Sequence, residues 1–209
     1  MSIADAEGLK AITMRRLASE LGVEAMSLYH HIPSKSVLLE ELVAKIIGEV
    51  QAAAGDNGGA DWRTDLRKRC LLAREVMVRH PWGPGLIGSR ATIPASVVLY
   101  YEEILALLIE GGFSYALAHK ALHALGSMPL GFVQELFSPA AIGGSLDVGA
   151  ANSKLHELTE TLPYMAAMMR SEIHANDGDA LGWCDSRAEF AFTLDLLLDG
   201  LERQRSSKQ

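Results

Sequence analysis

Ser27, Tyr29, His30, His31 and Lys35 crowd into one short stretch of the segment TMRRLASELGVEAMSLYHHIPSKSVLLE. Hydroxyl, imidazole and ammonium groups at such spacing suit contact with a phosphate backbone, which positions a protein on a duplex without reading its sequence. Ala25 and Met26, just ahead of them, offer apolar contact to a thymine methyl, and Ser27 can donate to or accept from a base edge. Arg15 and Arg16 lie upstream. A guanidinium there can reach a guanine or the backbone, and Arg15 is the better placed for a base. This set of groups suits binding rather than bond breaking.

The elements that must hold these groups follow from the pattern around them. Two short helical periods are separated by Gly22-Val23, and Pro33-Ser34 opens a third, longer one. Leu17, Ala18 and Leu21 are expected to pack against Val23, Leu28 and Ile32, with Gly22 supplying a turn that strains other residues. That is the layout of a helix-turn-helix, whose second helix leads with its N-terminal end into the major groove.

Apolar periodicity is helical along almost the whole chain, so the fold class expected is all-α. Ser34 caps a helix running to about Ala54, with Leu38, Leu39, Leu42, Ile46 and Val50 on one stripe. The run GDNGG at 55–59 stops it and places a domain boundary: 1–54 as the DNA-binding domain with its linking helix, 60–205 as a larger helical domain. Asp61 caps a helix to about Arg79, and HPWGPG at 80–85 breaks it. A short helical turn covers 85–89, and a helix runs from Pro94 to Glu110, stopped by Gly111-Gly112. Ser114 begins a helix reaching Phe137 that Pro129 should kink or break. A loop over 138–152 precedes helices at 153–174 and 185–204. In the last of these Phe190, Leu194, Leu197, Leu198 and Leu201 form one stripe that Phe192 and Leu196 widen, more apolar surface than one packing partner needs.

The 209 residues carry a formal charge of −7, which excludes a broadly basic surface and confines any nucleic-acid contact to a local patch. Residues 1–54 alone hold five Lys/Arg against seven Asp/Glu. Cys70 and Cys184 lie too far apart to suggest a metal cluster or a disulfide framework, and read as small buried hydrophobes. The apolar run 104–109 is too short to span a bilayer and is flanked by Glu102, Glu103 and Glu110. With no basic start followed by an apolar core, a cytoplasmic location is expected.

Two other function classes stay open on these residues. His119 and His123 stand at i, i+4, as metal-ligating histidines on a helix can, which would suit a helical metal-dependent enzyme. Lys120 occupies the place of a zinc protease's glutamate, however, and no third ligand is evident nearby. The GLIGSR run is not a phosphate-binding loop. A dimeric interaction module that no longer binds DNA is the third reading.

The runs MRRLASELGV, SLYHHIPSK and LLEELV, followed in order by HPWGPGLIGSR, EGGFSYALA, LGFVQE and LDLLLDGLERQ, resemble the tetracycline-repressor family of transcriptional regulators over nearly the whole chain. The resemblance implies a homodimeric, ligand-responsive repressor of a near-palindromic operator, not an enzyme, with no cofactor. Its dimer would form through the helices near 114–137 and 186–204. It places Thr13, Arg15, Arg16, Ala25, Met26, Ser27, Tyr29, His30, His31 and Lys35 at the DNA.

Within the family, the drug-sensing branch holds a magnesium–tetracycline chelate. The matching positions here read Gln51 and Leu86, poor magnesium ligands, and Arg69, Ala73 and Ile104 also depart from that set, while Ser89 and Glu135 agree. The expected pocket is therefore more apolar, lined by Met77, Leu86, Tyr101, Ile104, Met128, Phe132, Met165 and Met168. Arg69, Arg90 and Glu135 would orient a mostly hydrophobic effector bearing one polar or acidic group. The family's first helix also extends further upstream, so a longer natural N-terminus is expected.

Intact-mass measurement of the native protein tests that last expectation; a mass starting at Met1 or Ser2 contradicts it. The sparse positive charge predicts few phosphate contacts and a log-affinity slope against log salt shallower than about −10.

Overall fold

The computed structural model describes residues 1–55, 61–132, 161–164, 167–168 and 186–207. Every element among them is helical: α1 (Ser2–Glu7), a 3₁₀ turn (Leu9–Ala11), α2 (Met14–Leu21), α3 (Ala25–His31), α4 (Lys35–Ala54), α5 (Trp62–Arg79), α6 (Gly83–Gly88), α7 (Ala95–Glu110), α8 (Tyr115–Gly131) and α9 (Ser186–Ser206). Backbone packing divides the chain into two compact units, Met1–Val133 with Leu194–Gln209, and Gln134–Thr193. Helices α1–α8 lie in the first; α9 begins in the second and continues into the first.

Side-chain caps set the helix starts. Thr13 Oγ1 accepts from the Arg16 amide at 3.1 Å, Ser34 Oγ from Val37 at 3.2 Å, Asp61 Oδ1 from Arg63 and Thr64, and Ser114 Oγ from Leu117. Each satisfies an amide that the first helical turn leaves without a partner. Gly22 ends α2 at φ 66°, in the left-handed region where glycine alone is unstrained.

Leu38, Leu42, Val43, Ile46, Ile47, Val50 and Ala54 are buried along α4, an apolar belt wider than a single stripe. The belt belongs to one continuous core running from Ile3 in α1 to Val97 in α7. Helices α4 and α5, on either side of positions 55–59, thus share one core. Each fully buried Val or Ile in this belt contributes about 1.5–3 kcal/mol.

Three features depart from the sequence reading. Leu21 and Val23 are 63% and 44% exposed, because the N-terminal part of the core gathers Ile3, Ala4 and Ile12 with Met14, Ala18 and Leu28, leaving the last turn of α2 outside it. Helix α8 ends at Gly131, short of the Phe137 expected, and 133–137 lie outside the described residues. Pro129 has no N–H to offer the preceding turn, and the helix ends just after it. The stripe of α9 is split: Phe190, Leu194 and Leu198 are fully buried, whereas Phe192 and Leu196 are 66% and 54% exposed. The loop expected at 138–152 lies outside the described residues, as does most of the helix expected at 153–174.

Charged pairs fasten α9 to α5: Arg67 donates twice to Asp195, at 2.7 and 3.1 Å, and Arg63 to Asp199 at 2.6 Å. Arg205 donates to the Gly111 carbonyl while lying over the edge-to-face pair Trp62–Phe113. Gly111 has no room for a side chain, since a Cβ there would meet Trp62 Cβ at 2.8 Å and Cγ at 2.9 Å. Gly111→Ala is expected to destabilise the fold by about 1–3 kcal/mol, seen as a lower midpoint in thermal unfolding.

Candidate functional site

Two places collect the singled-out residues. The first is α3 and its surroundings. Only Leu28 of α3 is buried, so Met26, Ser27, Tyr29, His30 and His31 are left exposed and Ala25 half-buried. Met26 is 68% and Tyr29 43% exposed. Thr13, Arg15 and Lys35 are exposed beside them in sequence, at the starts of α2 and α4. Arg16 differs. Its guanidinium is held by Glu7 at 2.9 Å and by Glu20, and these two carboxylates raise its pKa, the Glu20 hydrogen bond most. Its charge is thus largely answered within the reader.

The second place is an apolar cavity of about 80 Å³ between α4, α5, α6, α7 and α8. Of the expected pocket residues, Ala73, Met77, Tyr101 and Ile104 line it. The sequence reading missed Leu66 and Cys70 on α5, Tyr100 on α7, and Leu122, Leu125, Gly126, Pro129 and Leu130 on α8. Leucines and a glycine at helical spacing carry no signal separating a cavity wall from ordinary core; only the packing does.

Other expected pocket residues lie elsewhere. Leu86 and Met128 are buried but are not in the cavity wall, and Met168 is 44% exposed. Phe132 is half-buried at the end of α8, and Ser89 Oγ donates to the Leu86 carbonyl. Arg90 points to the start of α4, donating to Ser36 Oγ at 2.8 Å and to Glu40 at 3.2 Å, so it braces α4 instead of the cavity. Glu135 and Met165 fall outside the described residues.

Polar groups adjoin the cavity wall at Tyr100. Arg69, 5% exposed, donates to Glu103 Oε2 at 3.1 Å, and Gln51 Nε2 donates to Glu103 Oε1 at 2.6 Å. The cation is thus met by an internal carboxylate. Burial pushes the Tyr100 hydroxyl, which shares a hydrogen bond with Arg69, up to about 12, and the Cys70 thiol likewise to about 12. Both stay protonated, and the cavity presents a neutral, mostly apolar interior.

A third group of residues was not foreseen. His80, the C-cap of α5, is 7% exposed, with Nδ1 2.7 Å from Asp5 Oδ1 on α1 and Nε2 3.2 Å from Glu49 Oε2 on α4. Trp82 Nε1 donates to the same Asp5 oxygen at 2.7 Å, and Arg79 reaches Glu49 at 3.2 Å. Burial opposes ionisation of Asp5, but the hydrogen bonds with His80 and Trp82 and the attraction of His80 outweigh it and hold the carboxyl below its usual range. Residues some 75 positions apart give no joint signal in a single sequence.

His119 and His123 are exposed on α8, their rings edge to face at 4.7 Å. Among the described residues no group of three His, Cys, Asp or Glu is placed to hold a metal ion, and no helix is long and apolar enough to cross a membrane.

Residues 2–42 match the model for bacterial regulatory proteins of the tetR family, and residues 54–205 that for the tetracyclin repressor-like C-terminal domain. Among curated proteins the chain is similar to the HTH-type transcriptional repressor DrrR1 of Streptomyces coeruleorubidus, 33% identical over 163 residues that cover 75% of this chain and 51% of that repressor. It spans about half of that protein's length. It is also 25% identical over 205 residues to the tetracycline repressor protein class D of Escherichia coli, covering 98% of this chain and 86% of that one. A solved structure described as a possible TetR family transcriptional regulator from Streptomyces coelicolor A3(2) superposes with a TM-score of 0.74 at 26% identity, covering 97% of this chain and 94% of that one.

The Asp5 contacts predict a pH signature. A carboxyl depressed in the fold below its ordinary 3.8 adds stability that is complete above that value and is lost as pH falls through the depressed one. Urea midpoints of the wild type should exceed those of Asp5→Asn near pH ~6, and the gap should narrow near pH ~3. An unchanged gap contradicts it.

Proposed function

Because this chain belongs to the tetR family of bacterial regulatory proteins, we propose that it is a ligand-responsive transcriptional repressor that binds operator DNA as a homodimer. The observation that carries the reading is the exposure of α3: a short helix, held by one buried leucine, with its polar and apolar side chains left free for a groove. Ser27, Met26 and Ala25 would meet base edges, and Arg15 a guanine. Thr13, Tyr29, His30, His31 and Lys35 would meet phosphates. Arg16 would contribute least, being tied to Glu7 and Glu20. Residues 1–54 would act as the reader and 60–205 as the sensor and dimerisation part. The protein would act by binding and not by catalysis.

The dimer would form through the exposed faces of α8 and α9, where Tyr115, Phe192 and Leu196 stand 79%, 66% and 54% exposed. Two-fold symmetry would then set two α3 helices about 34 Å apart, one helical turn of DNA, over a near-palindromic site.

The effector would enter the cavity beside Ala73, Met77, Tyr101 and Ile104. Drug-sized ligands occupy roughly 300–1,000 Å³, so a cavity of about 80 Å³ must widen to admit one. The widened arrangement is the state such a ligand favours, and α4, which is both cavity wall and reader support, carries the change to α3. With Arg69 already met by Glu103, the effector would be mostly apolar with one polar group placed near Tyr100.

Selection of genomic fragments on the purified full chain, followed by release with candidate apolar compounds, tests the function; failure to enrich any discrete fragment counts against it. On the selected fragment, Arg15→Ala should cost about 1–3 kcal/mol and relax preference at one base. Tyr29→Ala should weaken binding evenly across sequences. Titration by fluorescence anisotropy measures both.

A further inference from the structure

We infer that Asp5 is a positioning residue that couples the sensor to the first helix of the reader, along a polar route separate from the apolar α4 path. The inference rests on the cavity being the effector site. Two donors converge on one carboxylate from the α5–α6 corner: Trp82 Nε1 at 2.7 Å and His80 Nδ1 at 2.7 Å, both on Asp5 Oδ1. The corner itself adjoins the cavity. Gly83, the first residue of α6, is packed so closely that a Cβ there would stand 2.9 Å from Ile46 Cδ1 on α4 and 3.4 Å from Sδ of the cavity residue Met77. Ile87, on the same helix, is also part of the cavity wall.

An effector that pushes Met77 or Ile87 outward must therefore displace the corner, and the corner holds α1 by two short, directional contacts. Such contacts are sensitive to a displacement of the corner, because hydrogen bonds weaken steeply when bent. Glu49, on the other ring nitrogen of His80, ties the same imidazole to α4. A single buried ring thus touches both helices that support α2 and α3, and motion of the corner reaches them in step.

The test uses 8-anilino-1-naphthalene sulfonate as an apolar cavity probe on the full chain, with hydrogen exchange of the 2–7 amides as readout. Bound probe should change wild-type exchange in α1 by at least about threefold. In Asp5→Ala that response should vanish while probe affinity stays within about twofold of wild type. Trp82→Phe, which deletes one donor and keeps the ring packing, should give an intermediate response. Glu7→Gln, altering α1 on a side that faces Arg16, should keep it. A merely structural Asp5 would raise basal exchange and leave the probe response intact, and that result overturns the proposal. Probe fluorescence that Ala73→Phe does not reduce would instead overturn the cavity as the binding site, so the two failures are told apart.

Discussion

Burial of α4 is the constraint on which the other elements depend. Its apolar residues cover more of its circumference than one neighbour could, and they are satisfied only because the reader packs on it together with α5, α6 and α7. A helix with a spare polar face could turn or slide at small cost. This one cannot, since rotation would carry Val43, Ile46 or Val50, now almost wholly buried, into water. Close packing of this kind does not deform smoothly, so α4 moves as a unit with the helices packed on it.

Electrostatics refines that arrangement without holding it together. The pairs between α5 and α9 are half-exposed and individually weak, yet they are aligned on one side of α5 and fix its azimuth. The buried groups behave otherwise. Arg69 and His80 are buried while their partners Glu103, Asp5 and Glu49 stay about a third exposed, so parting the pairs would cost mainly through the buried member left poorly solvated. Acidic residues also serve the reader internally, with Glu7 and Glu20 answering Arg16, so the local charge at α3 is set by fewer cations than composition suggests.

Local signals in the chain foretold the elements well. Ser34, Asp61, Ser114, Gly22 and Gly111 lie where the helices begin and end, because capping and turn geometry are short-range and depend on a few adjacent residues. The exposure of Met26, Ser27 and Tyr29 on α3 followed from the same local logic. Periodicity misled at Leu21 and Val23, which have the right spacing for a core but lie beyond the residues that α1 and Ile12 cover. The cavity was half foreseen: Met77, Tyr101 and Ile104 stand out by type, whereas Leu122, Leu125 and Leu130 look like any core leucine. Arg90 was misplaced because its partners, Ser36 and Glu40, come from a different helix far earlier in the chain. Long-range polar pairing leaves no trace in one sequence, and for that reason His80 and Asp5 went unread.

Cys70 gives the cavity a chemical character. Burial pushes the thiol up to about 12, so it stays protonated at neutral pH, and the thiolate is the nucleophile in alkylation and in oxidation by peroxide. The sulfur that faces the cavity is thus chemically quiet. Electrophilic or oxidising compounds arriving there would meet a soft, polarisable surface and not a reactive one.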